Sequence, residues 1–126
     1  MQKNFHQKIT RGIIVVSVAL VVGGIIFVKR QPGAYDGFAQ CLKDKGATCD
    51  GAFWCPHCQR QKQLFGKSAR LLPYVECSTP DGQGQTLACS EKHIEGYPTW
   101  IFANGETVSG EIPLERLVEK TGCALP

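Results

Sequence analysis

From Gly12 to Val28 the chain runs through seventeen residues without a charge, rich in Ile and Val, with Arg11 before it and Lys29 and Arg30 after it. A helix of that length rises about 25 Å at ~1.5 Å per residue, the short end of what spans a bilayer, and snorkelling by Lys29 and Arg30 would lengthen it. A buried core helix is a poor alternative, because the rest of the chain is too short to cover an apolar cylinder on every side. A cleaved secretory signal is the other alternative, since Lys3, Lys8 and Arg11 suit its basic start. Lys29-Arg30-Gln31-Pro32, however, stands where the small residues of a cleavage site belong. The expected organisation is a cytoplasmic N-terminus over residues 1–11, an uncleaved transmembrane helix over 12–28, a linker over 29–34 and one domain over 35–126.

Charge divides along the same boundary. The first 30 of the 126 residues hold five of the 14 Lys and Arg residues and no acid, leaving nine basic against eleven acidic side chains in the remainder. A domain that is slightly acidic and has no basic cluster offers nothing to track a phosphate backbone, so nucleic acid is excluded as a partner. Seven cysteines in so short a chain point to an oxidising compartment or a metal site, and their odd number leaves at least one outside any internal pairing. Three basic residues before the span and two after it orient it weakly. The cysteines, all C-terminal to the span, place the domain on the extracytoplasmic side.

Past the linker, Phe38, Cys41 and Leu42 fall at helical spacing in a helix expected over Tyr35–Lys45 and ended by Gly46. A strand over Ala47–Trp54 leads into a helix over Pro56–Phe65, with Pro56 at the first helical position and Leu64 and Phe65 on its buried side. A second strand is expected over Leu71–Cys77, a loop over Thr79–Gly84 and a short helix over Gln85–His93. Thr99–Ala103, the turn Asn104-Gly105 and Glu106–Ser109 signal a hairpin, and a last helix occupies Pro113–Thr121.

Cys55-Pro56-His57-Cys58 sits at the mouth of the second of these domain helices. A cysteine at a helix N-cap is met by unpaired backbone N–H groups and the positive end of the helix dipole, both of which favour thiolate over thiol. Cys55 is therefore the candidate nucleophile. Cys58, one turn deeper, is placed to close a disulfide with it and expel a bound partner, the resolving role. A partly charged His57 would further favour the thiolate and so make the oxidised pair a stronger oxidant; the alternative is a solvated helix-terminus residue. Trp54 is either packing or a lid beside the reactive sulfur. In Glu95-Gly96-Tyr97-Pro98-Thr99-Trp100, an X-Pro bond between a turn and an apolar strand is a candidate cis peptide. It would lie opposite Cys55, where Trp54, Tyr97 and Pro98 would receive an extended substrate chain. No cofactor and no metal are expected.

With these motifs in this order, residues 34–126 resemble the thioredoxin superfamily. More narrowly, they resemble the thioredoxin-like domain fused to bacterial vitamin K epoxide reductase homologues. The segments that carry the resemblance are Phe38-Ala39-Gln40-Cys41-Leu42, Gly51-Ala52-Phe53-Trp54-Cys55-Pro56-His57-Cys58, Pro73-Tyr74-Val75-Glu76-Cys77 and Gly96-Tyr97-Pro98-Thr99. The Pro-His pair also matches the periplasmic dithiol oxidase family. The resemblance implies an α/β thioredoxin-like fold, a central mixed sheet flanked by helices, behind the transmembrane helix. It further implies electron passage between thiols of secreted proteins and a membrane quinone reductase. Only one span is present, so a separate reductase of vitamin K epoxide reductase type is the expected redox partner. The position six residues before the active cysteine, where many such proteins bury an acid, is Cys49. Asp50 should face the other way, which makes a proton-relay role for it doubtful.

The resemblance also implies a disulfide between Cys77 and Cys89, worth about 3 kcal/mol on the chain-entropy account. A second redox pair feeding Cys55 is the alternative. Cys41 and Cys123 are a possible disulfide tying the first domain helix to the last, and Cys49 reads as a buried free thiol. Thiol–disulfide exchange with secreted proteins, in the oxidising or isomerising direction, is the leading expectation. The alternatives are a reductase, a structural zinc module on Cys55, Cys58, Cys77 and Cys89, and a tethered domain whose cysteines are all structural. The eleven residues between Cys77 and Cys89 fit zinc poorly.

Overall fold

The computed structural model describes residues 2–126, with the side chains of residues 2–6, 8, 9, 29 and 30 excepted. The snorkelling expected of Lys29 and Arg30, and the basic start expected of Lys3 and Lys8, lie outside the described residues. The chain forms two units that divide between Gln31 and Pro32.

The first unit is one helix, α1 (Gln2–Arg30). Within it Thr10–Val28 has a mean hydropathy of 2.5 and none of it is buried, so its length and composition suffice to cross a membrane. The Ser17 hydroxyl donates to the Ile13 carbonyl one turn back, at 2.9 Å, which satisfies a polar group inside the apolar run. The helix begins well before the apolar run expected over residues 12–28, with residues N-terminal to that run continuing it. Residues 2–11 contain neither Pro nor Gly, and nothing there interrupts helical hydrogen bonding.

The second unit holds a four-stranded sheet in the order β2-β1-β3-β4, formed by β1 (Thr48–Gly51), β2 (Tyr74–Glu76), β3 (Thr99–Ile101) and β4 (Thr107–Ser109). β1 and β2 are parallel, whereas β3 runs antiparallel to β1 and to β4, so the sheet is mixed. With α2 (Asp36–Asp44), α3 (Pro56–Gln63), α4 (Leu87–Ser90) and α5 (Leu114–Thr121), this is a thioredoxin-like fold preceded by one apolar helix.

Register decides which side chains meet. Cys49 is aligned with Tyr74 on β2 and Trp100 on β3, while Asp50 is aligned with Val75 and Thr99. Successive strand residues face opposite ways, so Cys49 and Asp50 look to different sides of the sheet. The Cys49 side carries the main core, where Phe38, Leu42, Phe65, Trp100, Phe102 and Leu117 are buried together. On the other side Val75, Ile101 and Ile94 enclose Cys77 and Cys89.

Several expected elements are shorter, each for a local reason. β1 stops at Gly51 because the chain turns there, the Cys55 N–H reaching the Ala52 carbonyl at 3.0 Å. α3 ends at Gln63, and Gly66, at φ +53°, starts an unexpected 3-10 helix over Gly66–Leu71. Leu64 is correspondingly 44% exposed rather than on a buried side, whereas Phe65 is buried. Leu71 still belongs to that 3-10 helix and Pro73 has no N–H to give a ladder, so β2 starts at Tyr74 rather than Leu71. The helix expected over Gln85–His93 is the single turn of α4. His93 takes a left-handed φ of 55°, and the Ile94 N–H closes back on the Cys89 carbonyl at 3.2 Å, a Schellman-type stop with His where Gly is usual.

Candidate active site around Cys55 and Cys58

The site begins with the turn that carries β1 into α3. Cys55 occupies the N-cap of α3 in an extended conformation, followed by Pro56 at the first helical position. Its sulfur accepts the Cys58 N–H at 3.5 Å, which uses one of the orphan donors at the helix start. Across the site, the Cys55 thiol lies 3.6 Å from the Tyr97 carbonyl, and the Tyr97-Pro98 peptide is cis. Cys55 and Cys58 are both unbonded and buried, and with Ala52 they form a small cluster against Tyr97. Burial, more than any other influence, raises the Cys58 thiol to about 12, with the Cys55 sulfur adding to the effect and Lys62 opposing it. Cys58 is thus held as a thiol under ordinary conditions.

An exposed apolar rim surrounds the sulfurs. Phe53 and Trp54 are 47% and 52% exposed, and Trp54 meets the Tyr97 ring edge to face at 6.0 Å. The Trp54 indole N–H donates to Ser78 at 2.9 Å, which ties the ring to the segment after β2. The Phe53 backbone is pinned at both ends: its N–H donates to Glu76 at 3.1 Å, and its carbonyl accepts from Gln59 at 2.7 Å. The Tyr97 hydroxyl is held by the Gln85 amide at 2.8 Å.

His57 points away from this cluster and is 60% exposed, with its Nδ1 2.5 Å from Glu111. Arg60 bonds the same carboxylate at 2.7 Å. Arg60 first, and then His57, hold the Glu111 carboxyl below its ordinary range. The imidazole therefore stands beside an Arg60–Glu111 ion pair whose partners are 51 residues apart in sequence.

Asp50 is wholly buried on the far side of the sheet from Cys49, as the alternation along β1 requires, and its Oδ2 is 2.8 Å from the Lys92 ammonium. It lies beside Cys77 and Cys89, not beside the Cys55–Cys58 pair. Cys77 and Cys89 are joined by a disulfide, and so are Cys41 and Cys123, while Cys49 is free and buried. With two of its sulfurs bonded to each other, the proposed zinc set of Cys55, Cys58, Cys77 and Cys89 is not assembled.

Sequence reasoning passed over three contributors. Gln61 is fully buried in α3 and clamps the segment before α5, accepting from the Ile112 N–H at 2.8 Å and donating to its carbonyl at 3.1 Å. Glu76 holds the Phe53 and Ser78 N–H groups beside the site, at 3.1 and 2.9 Å. Glu111 gathers His57 and Arg60. Glu76 stands in one of the segments that carry the resemblance, but the contacts these side chains make with Phe53, His57 and Ile112 span 23 or more residues of sequence, so no local pattern could reveal them.

No family model matches the chain. Over 92 residues it is 49% identical to a protein of Arabidopsis thaliana named thiol-disulfide oxidoreductase LTO1. The similarity takes in 69% of this chain but only 24% of that relative, so the chain spans about a quarter of its length.

Proposed function

We propose that the chain is a membrane-anchored thiol–disulfide oxidoreductase whose Cys55–Cys58 pair exchanges a disulfide with thiols of secreted proteins. The observation that carries this reading is the placement of Cys55: at a helix N-cap, beside the Tyr97 carbonyl, with Cys58 one turn below. The name and identity of the plant relative support the same exchange. A substrate thiolate attacks the Cys55 sulfur of the oxidised pair, the Cys55–Cys58 bond breaks, and its electron pair leaves on Cys58. A second substrate thiolate then attacks the mixed disulfide, releasing oxidised substrate and the reduced pair.

The direction is oxidising or isomerising, on the extracytoplasmic side, and Trp54, Tyr97 and Pro98 form the surface on which the substrate chain lies. A membrane quinone reductase of vitamin K epoxide reductase type returns the pair to its disulfide. His57, between the two cysteines and hydrogen-bonded to Glu111, tunes the Cys55 thiolate. Membrane anchorage through Thr10–Val28 keeps the domain near that reductase.

Cys58→Ser in the full chain tests the exchange. Mixed disulfides between Cys55 and cellular proteins should accumulate, visible as reducible high-mass species that vanish in the Cys55→Ser, Cys58→Ser double variant. Their absence would sink the reading. The reduction potential tests the direction: a value near −270 mV, that of thioredoxin, would make the protein a reductase instead.

A further inference from the structure

Cys58 poses a problem that the exchange mechanism leaves open. Whenever a mixed disulfide at Cys55 is resolved from within, Cys58 must lose a proton, yet burial holds that proton tightly and the position of the usual buried acid is filled by Cys49. Cys49 is no substitute, since its own thiol is raised further, first by burial and then by Cys58 and Asp50. Asp50 faces the opposite side of the sheet.

The side chains that do face Cys58 come from three elements. From α3 they are Cys55 and, one turn on, Lys62; from β1, Cys49; from β2, Tyr74. Gly51 brings the last of these close. A Cβ at Gly51 would lie 2.8 Å from the Cys58 sulfur and 2.9 Å from the Tyr74 hydroxyl, so glycine at this position is what leaves room for both groups on the same side of the strand. The Tyr74 hydroxyl is 3.4 Å from Glu76 Oε2, while Oε1 of the same carboxylate is occupied by Phe53 and Ser78. Lys62 caps the phenol ring at 3.4 Å from its centroid and keeps it in place. The row therefore runs from a buried sulfur, through a half-buried phenol, to a carboxylate in solvent.

The geometry points to Tyr74 and Glu76 as the proton path of Cys58. The inference rests on the exchange proposed above and deepens it. During resolution the Cys58 sulfur attacks the Cys55 sulfur of the mixed disulfide, and the Cys55–substrate S–S bond breaks. The substrate leaves as a thiolate. In the same event the Cys58 proton passes to the Tyr74 oxygen while the Tyr74 proton passes to Glu76, and from there to water. When substrate is oxidised, Cys58 is instead the leaving group and the proton travels the other way. Tyr74 carries no charge at any stage, as its hydroxyl, whose acidity is lowered first by burial and then by Glu76, requires.

The test uses the reduced full chain in detergent micelles with excess oxidised glutathione, quenched in acid and analysed by mass. Glutathionylated Cys55 forms and then decays as Cys58 resolves it. Because the relay takes the Cys58 proton within the resolving step, decay does not wait on prior ionisation of Cys58 and is nearly flat with pH over the neutral range. Without the relay it must follow the thiolate fraction of Cys58, rising about ten-fold per pH unit. Tyr74→Phe keeps the ring under Lys62 and removes only the hydroxyl. It should slow decay about 100-fold at neutral pH and convert the flat profile to the steep one. Glu76→Gln should steepen the profile likewise, independently of how Tyr74→Phe folds. Decay in both variants that keeps the wild-type pH slope, whether slowed or not, would overturn the relay. Failure of the wild-type chain to form the mixed disulfide would instead overturn the exchange itself.

Discussion

Cys58 and Cys49 are the two thiols the fold keeps from ionising, and their burial links stability to pH. A thiol raised from 9.0 to about 12 on folding, as Cys58 is, binds its proton in the folded state while the unfolded chain has already lost it. The stabilisation this gives is complete below pH ~9 and is lost as pH climbs towards 12. Oxidation removes Cys58 from the titration but leaves Cys49. The melting temperature of the reduced chain should therefore fall more steeply between pH 8.5 and 10.5 than that of the oxidised chain, read by circular dichroism. Parallel slopes would mean that Cys58 ionises freely. Of the site, the sulfurs, Pro98 and Trp54 were legible because each belongs to a short motif with its own chemistry. Tyr74 and Gly51 stood within the segments that carried the family resemblance, but their placement on the Cys58 side of the sheet depends on the parallel register of β1 and β2, which the sequence does not display.

Among the elements, α3 bears the most of the site, and its buried face is polar. Gln61 replaces the apolar anchor a core helix would normally supply, and its amide satisfies both backbone groups of Ile112. Gln61→Leu would fill the space but leave that N–H and carbonyl buried without partners, at about 1–3 kcal/mol each. The expected result is a drop of about 2–5 kcal/mol in unfolding free energy by urea denaturation, with α3 and the α5 approach losing amide-exchange protection together. An unchanged midpoint would show that the clamp is dispensable. Sequence periodicity missed Gln61 because a glutamine in a helix reads as a solvated residue. It missed the 3-10 helix over Gly66–Leu71 for a related reason: the turn at Gly66 and the constraint before Pro73 are local, but where the apolar run Leu71-Leu72 goes between them is decided by packing. The hairpin of β3 and β4, announced by Asn104-Gly105, and the terminal α5, stopped by Gly122 at φ +71°, carry their own punctuation and were read with small boundary errors.

At the scale of the whole chain, the two units differ in charge as well as in structure, and that asymmetry bears on where the cysteines work. Every basic residue in the first 30 has no acid to offset it, with three before the apolar run and two after, so charge alone gives a weak orientation. The stronger constraint is chemical. Two disulfides within one domain persist where thiol buffers do not reduce them, and the Cys41–Cys123 bond closes a loop of 82 residues whose entropy alone accounts for about 4–5 kcal/mol. In intact cells, a membrane-impermeant maleimide added after brief mild reduction should label Cys55, with the label lost in Cys55→Ser and no further labelling of Cys55 gained on lysis. Leu20→Arg, which puts a charge near the middle of the apolar run at about 3–4 kcal/mol against insertion, should release the chain from membranes washed at alkaline pH. Labelling that appears only after lysis would place the domain on the cytoplasmic side, where the positive-inside count would then have to read in the opposite sense and the disulfides would need a source of oxidation of their own.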